Sequence, residues 1–86
     1  MNAVLFYNNK NVVCSKVRHY RKKRKLTQGQ LAAKLQVMNV NIDQQMISKI
    51  ERNKRIVTDF ELVCLCRALR VSLTDMLSDF YEKYPE

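Results

Sequence analysis

Two glutamines, a serine and a lysine stand at positions 44, 45, 48 and 49, interleaved with Ile47 and Ile50, which lie three residues apart. A glutamine amide carries both an acceptor and a donor and can bond adenine with both, while a lysine ammonium donates to the acceptors of guanine. Such chemistry requires the side chains to stand on the open face of a short helix whose other face is buried. Ile47 and Ile50 supply the buried face, and Asp43 is a good N-cap residue for the helix they imply. The spacing therefore predicts base-edge contacts by Gln44, Gln45 and Lys49, with Ser48 as a lesser contact on the same helix. Met46 beside them either fills a gap in the core or touches a thymine methyl.

The elements that must position these residues read as helices throughout. Thr27-Gln28-Gly29-Gln30 has the form of a capping box, in which the Thr hydroxyl accepts from a backbone N–H and the Gln reaches back. Leu31, Ala32 and Leu35 follow at helical spacing, so a second helix is expected from Gln28 to about Val37 and a third from Gln44 to Arg52. A first helix is expected from near Asn11 to Arg24, burying Val13, Val17 and Tyr20. A fourth opens at the capping box Thr58-Asp59-Phe60-Glu61, with Leu62, Leu65, Cys66 and Leu69 inside. A fifth opens at Ser72-Leu73-Thr74-Asp75 and presents Leu73, Leu77 and Phe80. The expected organisation is an N-terminal arm over residues 1–9, one all-α domain over 10–79, and a tail or helix extension over 80–86.

Length and composition agree with one small helical domain. Eighty-six residues with 47% apolar content, one Gly and one Pro favour a single helical globule over a disordered chain. No apolar run approaches the roughly 20 residues of a membrane span, and Ala3–Tyr7 is too short for a signal-peptide core. A cytoplasmic location is therefore expected, with no membrane partner. The net charge of +8 is unevenly placed. Residues 1–58 carry thirteen Lys or Arg against Asp43 and Glu51, a net of +11, whereas residues 59–86 carry three against six acids, a net of −3. Seven of the ten residues from Lys16 to Lys25 are basic, more than solubility or helix-end charge bias requires. The basic half contains the two central helices, and double-stranded DNA is the partner its charge suits.

The string VRHYRKKRKLTQGQLAAKL from Val17, then ISKIERNKR, then a Leu- and Val-rich helix ending ALRVSLTDML at Leu77, resembles the phage repressor/Cro-type, or XRE-like, helix-turn-helix regulators. The match spans about seventy per cent of the chain. The resemblance implies a compact five-helix, lambda-repressor-like DNA-binding domain with the helix beginning near Gln44 in the major groove. It also implies phosphate contacts by Gln28, Arg52, Lys54 and Arg55, and a structural ion pair between Arg21 and Glu51. The chain departs from the family pattern where relatives usually place Gly. Those positions are Lys25, Asn53 and Arg70, so either the turns close differently or some stability is given up. The turn between the second and third helices is also long, with Gln36–Met46 separating Leu35 from Ile47. Val37, Val40 and Ile42 are expected to pack part of it, with Asn39 or Asn41 ending the second helix.

Other chemistry is poorly supported. Cys14, Cys64, Cys66 and His19 number enough for zinc, but Cys-x-Cys in a helix points its sulfurs apart and the spacings match no common site. Free thiols in a reducing compartment are the expected alternative. The single His lies in the basic run and no glycine-rich phosphate loop exists, so neither an enzyme, a cofactor nor a small-molecule ligand is expected. Two functions remain: a sequence-specific transcriptional regulator, expected to repress, and a protein-interaction module binding an antirepressor or toxin-like partner on the same fold. One reading helix spans only a few base pairs, so a regulator is expected to act as a homodimer with half-sites roughly 34–36 Å apart. The dimer surface is expected at Leu77–Tyr84, with the Ala3–Tyr7 arm as the other option.

Overall fold

The computed structural model describes residues 5–86 and contains six helices in chain order. They are α1 (Cys14–Lys23), α2 (Gln28–Val37), α3 (Gln44–Glu51), α4 (Asp59–Leu69), α5 (Leu73–Met76) and α6 (Ser78–Lys83). Local chemistry sets most of the starts. Thr27 and Thr58 close complete capping boxes with Gln30 and Glu61, while Asp43 and Ser72 each accept from the N–H three residues on. The first helix begins at Cys14 rather than near Asn11, because Asn11 is drawn into other bonds: its Oδ1 accepts from the Val13 N–H and its amide donates elsewhere.

Four helices end in the same way. Lys25, Asn39, Asn53 and Arg70 all have φ between 53° and 63°, in the left-handed region that usually favours Gly. In each case the next residue donates back to the carbonyl five positions earlier: Leu26 to Arg21, Val40 to Leu35, Lys54 to Lys49 and Val71 to Cys66. This is the Schellman closure, which satisfies carbonyls the helix leaves open. The turns at Lys25, Asn53 and Arg70 thus close as a Gly turn would, with side chains in place of hydrogen. Asn39 is the residue that ends α2.

The core is continuous through the bundle. Val13, Val17, Leu31, Leu35, Ile42, Ile47, Ile50, Leu65, Leu69 and Met76 are buried, and Tyr20 and Leu62 pack half-buried against them. In the long α2–α3 turn Val40 and Ile42 face inward, as alternating residues of an extended segment do. Val37 does not join them: it is 86% exposed, on the outer side of the last turn of α2. At the C-terminus the expected fifth helix is broken at Leu77, which ends α5 and caps α6. Leu73 consequently sits exposed at the start of a one-turn helix, and Met76 takes the buried position expected for it.

Residues 6–9 form a tight hairpin turn. Phe6 and Asn9 exchange backbone hydrogen bonds, with Tyr7 and Asn8 both at positive φ as the mirror-image type I′ turn demands. The turn lays Phe6 and Tyr7 against α6. Phe6 contacts Phe80 and Tyr84, and Tyr7 stacks on Tyr84 at 5.0 Å. Phe6 and Tyr7 therefore form one aromatic cluster with Phe80 and Tyr84 of the C-terminal segment.

Candidate nucleic-acid interface

The central feature is α3, which differs sharply between its two ends. At its start, Asp43 Oδ1 accepts from Met46 N–H at 2.9 Å and fixes the first turn. Ile47 and Ile50 are fully buried, which forces Gln44, Gln45 and Lys49 to the outside. Among the described residues these three side chains form no hydrogen bond or ion pair with the protein. Ser48 is half-buried beside them, and Met46 is half-buried against the core. Gln28, Asp43, Gln44, Gln45 and Ser48 line one shallow concavity between the N-termini of α2 and α3. Gln44 lies so close over Gly29 that a Cβ at Gly29 would stand 3.2 Å from Gln44 Oε1. A side chain at position 29 would crowd the first of the exposed glutamines.

At the other end α3 is locked. Arg21 Nε donates to Glu51 Oε2 at 2.6 Å and Nη2 donates to Oε1 at 3.1 Å, while Nη1 donates to the Leu26 carbonyl at 2.9 Å. Gln28 Nε2 adds a bond of 3.2 Å to the same Glu51 Oε1. Glu51, with its side chain only 4% exposed, is thus held by both α1 and α2. The bond to Glu51 keeps the Arg21 guanidinium above its ordinary pKa, against the opposing effect of burial.

A second fork lies just beyond. Arg55 Nη1 and Nη2 donate to Glu61 Oε1 and Oε2 at 2.9 and 3.0 Å. Glu61 also closes the capping box by accepting from Thr58 N–H at 3.0 Å. Hydrogen bonding from Arg55 holds the Glu61 carboxyl below the usual range, with Thr58 contributing and burial opposing. Sequence spacing suggested only the cap for Glu61, so its second partner went unseen. The paired signal is an Arg six residues ahead of a capping-box Glu, across a short turn.

The residues that resemblance assigns to phosphate fall into two groups. Arg52 and Lys54 are exposed, Arg52 Nε making only a long 3.3 Å bond to the Ser48 carbonyl. Gln28 and Arg55 are half-buried and have donors engaged by Glu51 and Glu61. The possible zinc ligands do not gather. Among the described residues no three His, Cys, Asp or Glu side chains are placed to hold a metal ion, and the three thiols are free. Burial raises the pKa of Cys66. No described helix is long and apolar enough to cross a membrane.

A short helix with an open polar face, held at a set angle by a second helix across a turn, defines a helix-turn-helix domain. The helix-turn-helix family model matches residues 17–76, from within α1 to the end of α5. The chain belongs to this XRE-type family of DNA-binding regulators. Its fold is similar to that of the clp gene regulator ClgR from C. glutamicum, with a TM-score of 0.70 at 23% identity over 86% of this chain and 90% of that one. No curated protein sequence matches it significantly.

Proposed function

We propose that the protein is a sequence-specific transcriptional repressor that inserts α3 into the major groove of duplex DNA. The observation that carries this reading is the contrast within α3: Gln44, Gln45 and Lys49 are exposed and unpartnered, while the far end of the helix is fixed by Arg21 and Gln28. Donor–acceptor side chains on a rigid helix are what base discrimination needs. Gln44, Gln45 and Lys49 contact base edges, with Ser48 beside them. Arg52 and Lys54 contact phosphate after α3, and Gln28 and Arg55 contribute through the donor capacity that Glu51 and Glu61 leave free. Repression requires only that the site be occupied, whereas activation requires a further polymerase-contacting surface.

A two-fold dimer doubles the bases read and matches a pseudo-palindromic site. The second copy docks at the C-terminal surface, where Phe80, Tyr81 and Tyr84 lie together with Phe6 and Tyr7. Anisotropy titration of random duplex at two salt concentrations, followed by selection of bound sequences from a random pool, tests the DNA reading. Affinity falls steeply with salt as counterions are released. On the selected site, Gln44→Ala or Gln45→Ala costs about 1–3 kcal/mol and changes binding to random duplex little. An equal loss on both would show that the glutamines do not read bases. Absence of duplex binding would leave the protein-interaction module as the function.

A further inference from the structure

We propose that the segment ahead of α1 belongs to the DNA-binding surface, with Lys10 as a phosphate contact and Asn53 as the residue that positions it; this rests on the DNA-binding reading above. The segment is clasped to the end of α3 by a ladder of asparagines. Asn53 Oδ1 accepts from the backbone N–H groups of Lys10 and Asn11 at 2.9 and 3.1 Å, and Asn53 Nδ2 donates to Asn9 Oδ1 at 2.7 Å. Asn11 Nδ2 donates to the carbonyls of Ile50 and Arg55 at 3.1 and 2.9 Å. Each of these bonds joins the residues before α1 to the last turn of α3 or to the turn that follows it. The backbone of Lys10 is therefore set beside Asn53-Lys54-Arg55, the stretch that carries the proposed phosphate contacts.

Charge makes the placement meaningful. Arg55 turns its guanidinium to Glu61, so its charge is largely balanced within the protein. Lys54 remains open on that edge, and Lys10, the first basic residue of the chain, has its backbone bonded to the neighbouring Asn53 and is exposed, without an acidic partner among the described residues. Two exposed lysines carried by backbone that meets at Asn53 suit the repeated negative charge of a DNA strand. Asn53 serves both structures at once. Its left-handed backbone closes α3, and its amide, which a Gly would lack, anchors Lys10.

The experiment is an anisotropy titration of random duplex between 50 and 200 mM salt with the full chain and Lys10→Ala, Lys10→Arg, Lys54→Ala and Asn53→Gly. Lys10→Ala is expected to reduce the log–log salt slope by about one, as Lys54→Ala does. The advantage of the unmodified chain over Lys10→Ala then shrinks about 3-fold across that salt range. Lys10→Arg restores the slope. Asn53→Gly keeps the turn conformation but removes three of the five clasp bonds, including the one that holds the Lys10 backbone, so it lowers the slope by a similar amount, and adding Lys10→Ala to it causes little further loss. A Lys10→Ala slope equal to that of the unmodified chain, with Lys54→Ala reduced, overturns the Lys10 contact while leaving DNA binding standing. An unchanged Asn53→Gly slope overturns the positioning role. Absence of salt-dependent binding by the unmodified chain overturns both this proposal and the DNA-binding reading.

Discussion

The two ends of α3 use the same kinds of residue for opposite purposes. At the N-terminal end Gln44 and Gln45, and Lys49 further along the same open face, carry their donors and acceptors into solvent with no partner among the described residues. At the C-terminal end and just past it, Glu51, Asn53 and Arg55 are engaged within the protein: Glu51 by Arg21 and Gln28, Asn53 by three bonds to residues 9–11, and Arg55 by Glu61. A polar side chain can bind a partner or hold a fold, and it rarely does both with the same atoms. The difference teaches that stability and DNA affinity should be separable along one helix eight residues long. Substitutions at Glu51 and its partner Arg21 should act on melting, and substitutions at the exposed glutamines on binding.

The largest effect is expected at Glu51. Removing one partner of a buried, hydrogen-bonded ion pair leaves an uncompensated charge and typically costs about 3–5 kcal/mol. Glu51→Ala strips acceptors from both Arg21 and Gln28, so it is expected near the top of that range, with Arg21→Ala somewhat below it. For a domain of this size each kcal/mol lowers the melting temperature by about 4–8 °C. Thermal melts of the two single variants and the double variant measure the coupling. Single effects near zero that merely add in the double variant would show that the fork does not hold the helix.

The Arg55–Glu61 fork is expected to come next, and it carries a pH signature. Arg55 keeps the Glu61 carboxyl below its ordinary range in the folded state. On acidification the unfolded chain therefore takes up its proton first, at about pH 4.3, while the folded chain still holds the carboxylate. The contribution of Glu61 is full above that value and is lost as pH falls through the lower folded pKa. Glu61→Gln is expected to destabilise the protein by about 2–3 kcal/mol at pH 7, since it removes the charge-assisted bonds. The gap between variant and unmodified protein should then narrow below pH 4. A constant gap from pH 7 to pH 3 would assign the loss to packing instead of charge.

At the locked end the Arg21–Glu51 pair is the expected one, whereas the clasp and the second partner of Glu61 are harder to read from sequence. Thr27, Asp43, Thr58 and Ser72 announce their helices because a cap is decided within three or four residues. The exposure of Gln44, Gln45 and Lys49 follows just as directly from Ile47 and Ile50 three positions apart. The clasp had no such local signal: its bonds span 39 to 44 residues, and an asparagine reads alike in a turn, a cap or a loop. Glu61 was hidden for another reason, since the capping box already accounted for it. Val37 was misplaced because three apolar residues near a turn look equivalent until the chain direction is known. Leu73, expected inside, is exposed because the break at Leu77 shortens the fifth helix to one turn, whose buried residue is Met76.

A smaller effect on stability is expected at a helix end away from α3. Arg70 closes α4 at φ 53°, and no hydrogen bond of its side chain is found among the described residues. Arg24 reaches this turn through the carbonyls of Leu69 and Arg70, which a change of side chain leaves in place. Arg70→Gly removes the left-handed strain at the cost of a more flexible unfolded chain and is expected to raise stability by about 0.5–1 kcal/mol. Denaturant titration resolves a change of that size. A loss of stability would mean that the Arg70 side chain contributes packing which outweighs its backbone strain.

The smallest effect on folding is expected where the two ends of the comparison meet, at Gly29. It lies in the first turn of α2 with no positive φ, so its backbone does not require glycine. Alanine there would gain helix propensity of roughly 0.5–1 kcal/mol, reduced by the few tenths of an ångström that Gln44 must yield. Gln44 is exposed and flexible, so the fold can accommodate the shift, and Gly29→Ala is expected to melt at or slightly above the unmodified protein. Its amide, however, would be displaced from the pose that faces a base edge. Binding to the selected site is then expected to weaken several-fold, with little change on random duplex, because phosphate contacts at Arg52 and Lys54 are untouched. Competition titrations of the selected site against random duplex measure that ratio directly. An unchanged ratio, with stability retained, would show that the close approach of Gln44 to Gly29 has no part in reading DNA.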